Sequence, residues 1–228
     1  FLTWEETLRE GSLLSRVGGE VITLNDVGTM PYFSTATTAS MVAETGSVSN
    51  TAVQVGARTW TPKRIAARYA FSNLMGKLNG TYDFESELYN DLLAEGVRKL
   101  DQQIWAGTGA NNITGLLYDT NIEAFNASGS FTLESGSALR AVVAKKNGNV
   151  DNGAYVLNHD VYSYVYSAPA FGAGSGQSVL SLLEATNPVF PTNYMELVSA
   201  KKTAMFGDFS KVTAATFGPV EIVRDDLT

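Results

Sequence analysis

The glycine-rich run GTGANNITG at residues 107–115 is the stretch whose residue types come closest to a binding motif. Such runs bind phosphate when their backbone N–H groups line a turn at the start of a helix. A dinucleotide-binding turn follows a strand, whereas this run follows a helical pattern and has Asn112 at the third glycine position. A P-loop needs Gly-Lys-Ser/Thr, and no Lys occurs between residues 100 and 144. We therefore predict that the run ends a helix and binds no phosphate.

Three acidic residues upstream, Asp83, Glu85 and Glu87, have a spacing that argues against a metal site. On a helix, side chains two positions apart point about 200° away from each other, so these carboxylates cannot converge on one ion. Near a helix start they instead suit the positive end of the helix dipole. We expect no metal site and no cofactor.

His159 is the single histidine, and the pattern around it predicts a helix start, where a histidine is typically a capping or surface residue. Ser199 and Lys202 have the spacing of a Ser-x-x-Lys nucleophile motif, but they lie in a strand-like pattern and the companion motifs are missing. A pair of distant carboxylates, as in glycoside hydrolysis, stays open from the sequence, although no residues point to one. We expect no catalytic residues and no enzyme.

Composition narrows the function further. The 228 residues are 44% hydrophobic and 17% charged, which indicates a chain that buries a core. The net charge is -7, from 16 basic and 23 acidic residues, which disfavours extensive gripping of nucleic acid. With no cysteine and one histidine, disulfides, thiolate zinc sites and multi-His metal sites within one chain are excluded. No apolar run reaches the roughly 18 residues of a membrane span, so we expect no membrane association.

The strongest predicted element is a helix over Asp83–Ala106. Its apolar residues recur at spacings of three and four and form one continuous stripe. They are Phe84, Leu88, Leu92, Leu93, Val97, Leu100 and Ile104. Gly107 and Gly109 follow at once, where a helix terminus favours glycine.

The stretch TASMVAETGSVSNTAVQVGARTW predicts a long β-hairpin with a polar tip at residues 45–50. The second arm alternates from Val53 to Phe71, and Pro62 interrupts it as a bulge or edge. An isolated two-stranded ribbon is marginal in water, so something must cover it. Packing on its own domain is one possibility, and we favour packing on a neighbouring subunit.

The rest of the chain mixes helices and strands without regular βαβ alternation, which is an α+β pattern. We expect a short helix at residues 3–11, an irregular extended arm at 17–36, and a helix that starts near Ser135 or Ser137 and ends at Asn147–Gly148. A buried strand then leads into a helix capped by Asn158. A loop at 170–178, a short helix ended by Pro188, and strands joined at Gly207 and Gly218 complete the chain.

Several segments in order resemble the tailed-bacteriophage major capsid protein family of the Hong Kong 97 type. They are MVAET, TPKRIAARYAFSNLM, the long helix, DQQIWAGTGANNITGLL, YVLNHDVYSYV and AMFGDFSKVTAATFGPVEIVRDD. Each motif is loose, but their order and spacing over roughly residues 39–226 are fairly specific.

The resemblance implies a Hong Kong 97 type capsid fold. Its parts would be an N-terminal arm at 1–37, an extended loop at 38–72, a peripheral domain with a long spine helix at 73–126, an axial α+β domain at 127–205, and return strands at 206–228. Because the family pattern continues further, we expect the natural chain to extend beyond Thr228. The missing initiator Met is compatible with removal of an N-terminal scaffolding segment.

By the same resemblance, residues of the extended loop contact a neighbouring subunit. The predicted contact residues are Glu44, Ser47, Ser49, Asn50, Arg58, Trp60, Lys63 and Arg64. Some family members form covalent crosslinks through a Lys near the loop tip. The tip here, TGSVSNTAVQVGA, contains no Lys, so we expect no isopeptide bond from it.

The implied function is a major capsid protein of a tailed phage or prophage. Its copies would assemble into hexamers and pentamers of an icosahedral virion shell in the bacterial host cytoplasm. The shell would enclose DNA without sequence-specific binding, and a scaffold segment or protein, a maturation protease and a portal are possible partners. The alternatives are an encapsulin-like nanocompartment shell and, more remotely, a carboxylate-dependent hydrolase.

Overall fold

The computed structural model describes residues 12–24, 28–34, 41–47, 53–69, 84–109, 112–125, 130–172, 174, 176–195 and 204–217. The chain divides into two compact units. The first comprises Phe1–Ile22 and Lys63–Ala214, and the second comprises Thr23–Pro62 and Ala215–Thr228.

Helices and strands alternate irregularly along the chain, as an α+β pattern requires. The helices are α1 (Leu13–Arg16), α2 (Phe84–Ala106), α3 (Leu133–Lys145), α4 (His159–Ser167) and α5 (Val179–Glu184), with a 3₁₀ turn at Phe209–Lys211. The strands are β1 (Glu20–Leu24), β2 (Thr29–Phe33), β3 (Val55–Thr59), β4 (Ala154–Asn158), β5 (Val189–Thr192), β6 (Ala204–Gly207) and β7 (Thr213–Phe217). The predicted helix at residues 3–11 lies outside the described residues.

The long helix α2 is the predicted one, and Phe84 is its first described residue. Its apolar stripe is only half-buried from Leu88 to Val97, whereas the last two turns enter the core, where Trp105 is fully buried. The sequence favours a helix here because apolar residues recur at helical spacing. The segment contains no Pro and a single interior glycine, Gly96.

The glycine-rich run ends α2, as predicted, and folds back over the helix terminus. The N–H groups of Leu116 and Leu117 donate to the carbonyls of Ile104 and Trp105 at 2.9 and 3.0 Å. These bonds satisfy carbonyls that a helix end leaves without intrahelical partners. The left-handed backbone conformation belongs to Gly109, at φ +81°, and not to the first glycine of the run.

The first core of the larger unit joins α1, β1, the end of α2 and the sheet. Its most buried members are Leu14, Trp105, Val156 and Met195. The Trp105 ring packs edge-on against Phe209 at a centroid distance of 5.4 Å. Strand β1 pairs with β7, within a segment that the sequence predicted only as an irregular arm.

The second core lies between a three-stranded sheet and the helices α3, α4 and α5. The strand order is β5-β4-β6, with β4 parallel to β5 and antiparallel to β6. The central strand is buried from Ala154 to Leu157, as its apolar run predicted. Asn158 caps α4, also as predicted, because its side chain accepts the Asp160 N–H at 2.8 Å.

Helix α3 begins earlier than the sequence suggested. Thr132 is the N-cap, and its hydroxyl accepts the Ser135 N–H at 3.3 Å, so Ser135 and Ser137 lie inside the helix. Serine and threonine both commonly occupy the N-cap position of a helix. Here Thr132 occupies it, because the apolar part of the helix begins directly after it, at Leu133. The helix ends at Lys145, two residues before the predicted Asn147–Gly148, and Asn147 just beyond it has φ 57°.

The smaller unit contains a two-stranded antiparallel ribbon, and its first arm differs from the prediction. Strand β3 pairs with Thr29–Phe33, upstream of the first arm expected from the sequence, and the register sets Thr29 opposite Thr59 and Phe33 opposite Val55. Residues 44–45 form a turn between the arms. The second arm ends at Thr59, and residues 60–69 have no strand structure, because Pro62 lacks the N–H that would continue a ladder.

Candidate assembly interface

The ribbon of β2 and β3 exposes apolar side chains on both of its faces. Opposite residues of an antiparallel pair share a face, so Phe33 and Val55 lie side by side, and Met30 and Tyr32 lie on the reverse face. Phe33 is 77% exposed and Val55 is 62% exposed, and every residue of β2 is exposed. Both faces of the ribbon therefore carry exposed apolar side chains.

The ribbon backbone is nevertheless well paired. Beyond the strand ends, the Ser34 N–H donates to the Gln54 carbonyl at 2.9 Å, and the Trp60 N–H donates to the Gly28 carbonyl at 3.2 Å. The Tyr32 ring covers Gly56 across the strands, since a Cβ at Gly56 would lie 2.7 Å from the ring carbons. The register is thus fixed while the apolar side chains stay uncovered.

The turn and the strand positions predicted as contacts are partly visible in the structure. Glu44 and Ser47 are exposed at the turn between the arms. Arg58 lies opposite Met30 in the ladder, and its side chain is outside the described part of the structure. Ser49 and Asn50 also lie outside the described residues.

The other predicted contacts follow the strand. Trp60 is half-buried, and its indole N–H is buried without a hydrogen-bond partner in the described structure. Lys63 and Arg64 are exposed and belong to the larger unit. In the same unit, Tyr69 donates a hydrogen bond to the Asp91 carboxylate on α2. This bond raises the pKa of Tyr69.

The sequence did not predict the exposed apolar side chains of β2. Met30, Tyr32 and Phe33 lie in the stretch predicted as an irregular arm. A sequence signal for a strand was present, because TMPYF carries β-prone aromatic residues, but Pro31 weakened that signal. A proline is compatible with the edge position that a two-stranded ribbon offers.

Among the described residues, those first considered for chemistry show no metal-binding cluster. His159 and Asp160 are both exposed at the start of α4, and Glu87 is exposed on α2. Within the described ranges, no group of His, Cys, Asp and Glu side chains could hold a metal ion. Ser199 and Lys202 lie outside those ranges. Among the described helices, none is both long and apolar enough to cross a membrane.

Known capsid structures resemble this chain closely in fold. The capsid of a native GTA particle, computed with C5 symmetry, has a TM-score of 0.70 and 18% sequence identity, and the alignment covers 93% of this chain and 84% of that one. The capsid of an empty GTA particle gives a TM-score of 0.63 at 18% identity, covering 92% of this chain and 83% of that one. No curated protein matches the chain.

The sequence itself matches the profile of the Phage capsid family over residues 4–228. That match covers both units and almost the whole chain, and it favours a capsid subunit over a hydrolase or a cargo compartment. The exposed ribbon agrees with a subunit that is completed by other copies of itself. The chain therefore belongs to the Phage capsid family and is a structural capsid protein.

Proposed function

We propose that this chain is the major capsid protein of a tailed phage or prophage, with a Hong Kong 97 type fold. Copies of the chain form the hexamers and pentamers of a closed icosahedral shell around the genome. The observation that carries the proposal is the β2–β3 ribbon, whose apolar side chains are exposed on both faces.

A two-stranded ribbon is marginal in water unless another surface packs against it. Here Phe33 and Val55 form an exposed cross-strand apolar pair at one end of the ladder. In a protein built to assemble, such a surface marks a contact with another subunit. A sister copy supplies that cover in the proposed shell, and the ribbon is then the extended loop.

The remaining parts fit the same plan. Helix α2 is the spine helix of the peripheral domain, and the sheet around β4 with α3, α4 and α5 forms the axial domain. The predicted domain limits at residues 73–126 and 127–205 belong to this proposal. The extended loop begins before residue 38 in it, so that the loop includes β2 (Thr29–Phe33).

The negative net charge of the chain suits a protein that encloses DNA. With a net charge of -7, the chain repels DNA overall and encloses it without sequence-specific contacts. Assembly takes place in the bacterial host cytoplasm, with a scaffold segment or protein, a maturation protease and a portal as further partners. The lysine-free loop tip forms no isopeptide crosslink between subunits.

Phe33→Ser tests the ribbon contact. Because Phe33 is 77% exposed within the chain, the substitution should change the free energy of unfolding of the unassembled protein by no more than about 0.5 kcal/mol. We expect it to reduce the yield of closed shells, measured by sedimentation and negative-stain electron microscopy, because the lost side chain packs on a neighbour.

Thr29→Ser is the matched control, since it changes an exposed residue of the same strand without removing a large apolar group. It should assemble like the unchanged chain. Normal shell yield for Phe33→Ser would show that the ribbon is not an assembly contact, while failure of the unchanged chain to form any shell or ring would argue against the capsid function as a whole.

A further inference from the structure

A buried carboxylate joins the N-terminal segment of the larger unit to the end of α2. Asp101 is 1% exposed, and its Oδ2 accepts the Leu13 N–H at 2.9 Å across 88 residues of sequence. Leu13 is the first residue of α1, and the N-cap Ser12 serves the same helix by accepting the Ser15 N–H at 3.2 Å. A residue of α2 therefore supplies part of the cap of α1.

The surroundings of this carboxylate are mainly apolar. Leu14, Trp105 and Met195 are fully buried in the same core, and Asp101 Oδ1 is buried with no hydrogen-bond partner in the described structure. A half-satisfied carboxylate in such a place is costly in its ionised form. The hydrogen bond between Leu13 and Asp101 is thus well placed, but the burial of the ionised carboxylate is unfavourable.

The charged and titratable groups facing Asp101 do not compensate for this burial. Arg16 on α1 favours the ionised form, as do the backbone N–H groups of Leu13 and Leu14. Tyr194, which follows β5, has its pKa raised by its own burial and then by the Asp101 charge, and it also faces Arg98 and Glu95 of α2. Burial dominates, and it raises the pKa of Asp101 from 3.8 to about 6.

We propose that Asp101 is a pH-dependent clasp that holds the segment Ser12–Val17 against the end of α2 more tightly in mild acid than at neutral pH. It is a positioning residue, since it acts through the α1 backbone. The inference concerns the larger unit alone and does not depend on the proposed shell.

The direction of this pH dependence follows from the linkage between protonation of Asp101 and local opening of the segment. Because the pKa of Asp101 is higher in the closed form than the ordinary 3.8, the clasp is strongest below 3.8 and weakens as the pH rises through about 6. With those two pKa values, the equilibrium constant for local opening increases about tenfold between pH 5 and pH 8. Above pH 8 the constant changes little further.

Hydrogen exchange of the full chain measures this opening. Protection of the amides in Ser12–Val17, corrected for the intrinsic pH dependence of exchange, should fall about tenfold from pH 5 to pH 8. Asp101→Asn keeps an oxygen acceptor for the Leu13 N–H but does not titrate, so its protection should be constant over this range.

Asp151→Asn is the control, because that carboxylate is exposed and lies outside this core, and it should behave like the unchanged chain. A fall in protection that persists in Asp101→Asn, or that is absent from the unchanged chain, would overturn the proposal. If Asp101→Asn does not fold, the unchanged chain still decides, with β4 as internal reference. A pH effect shared equally by Ser12–Val17 and β4 would refute a local clasp.

Discussion

Single glycines show how closely the backbone packs where α2 ends. A Cβ at Gly115 would lie 2.5 Å from the Gly107 nitrogen and 2.9 Å from the Ala106 nitrogen, so only glycine allows the returning loop to reach the helix terminus. Gly96 lies within the same helix and would meet no atom within 4 Å. The two glycines therefore have opposite physical roles, one steric and one merely permissive.

Replacing each glycine by alanine separates these roles. Gly115→Ala should lower the free energy of unfolding by about 1–3 kcal/mol, because backbone atoms must move to admit the methyl group. Gly96→Ala should raise it by about 0.5–1 kcal/mol, because alanine favours a helix interior. Urea unfolding of the unassembled chain measures both, and an equal effect of the two substitutions would contradict the close approach at residue 115.

The sequence could predict that glycines end this helix, since their position after an apolar stripe is a local signal. It could not predict that Gly109, and not Gly107, adopts positive φ, or that Gly115 is required by close contact. Those requirements arise from the loop returning onto the helix, which no local pattern encodes. For the same reason, the burial of Asp101 and its bond to Leu13 could not be anticipated from the sequence.

Among the elements, those with strong local patterns were predicted and those that depend on distant pairing were not. The C-terminal end of α2 and the Asn158 cap of α4 follow from apolar periodicity and capping chemistry. The partner of β3 was wrong because Thr29–Phe33 joins it across more than twenty residues, while a nearer β-prone stretch competed for the role. The apolar half of the candidate interface was missed with it.

Asn158 also links two elements, which distinguishes it from an ordinary cap. Its side-chain nitrogen donates to the Met195 carbonyl at 2.5 Å, in addition to its cap of α4. Asn158→Ala should therefore destabilise the chain by about 2 kcal/mol or more, since it removes a cap and leaves a part-buried carbonyl without its donor.

Ser178→Ala is the comparison, because Ser178 caps α5 through the Ser181 N–H at 3.2 Å. Loss of this cap should cost about 1 kcal/mol in a urea unfolding measurement. A smaller cost for Asn158→Ala than for Ser178→Ala would mean that the bond to Met195 contributes nothing to stability.

At the scale of the whole molecule, the family and the mixed α+β class of the fold were within reach of the sequence. Composition excluded disulfides and thiolate metal sites, and the order of loose motifs pointed to a capsid protein, which the family match over residues 4–228 confirms. The sequence of one chain gives less information about which surfaces contact another copy. Side chains at such an interface are buried in the assembly but exposed in the single molecule. The exposed ribbon is the surface that we propose meets another copy.

A cryo-electron microscopy reconstruction of particles assembled from the full chain tests the central claim most directly. It should show a closed shell in which Phe33 and Val55 are in van der Waals contact with a neighbouring copy and have lost most of their exposure. A shell in which both side chains still face solvent would contradict the account, as would a ribbon folded back against its own subunit.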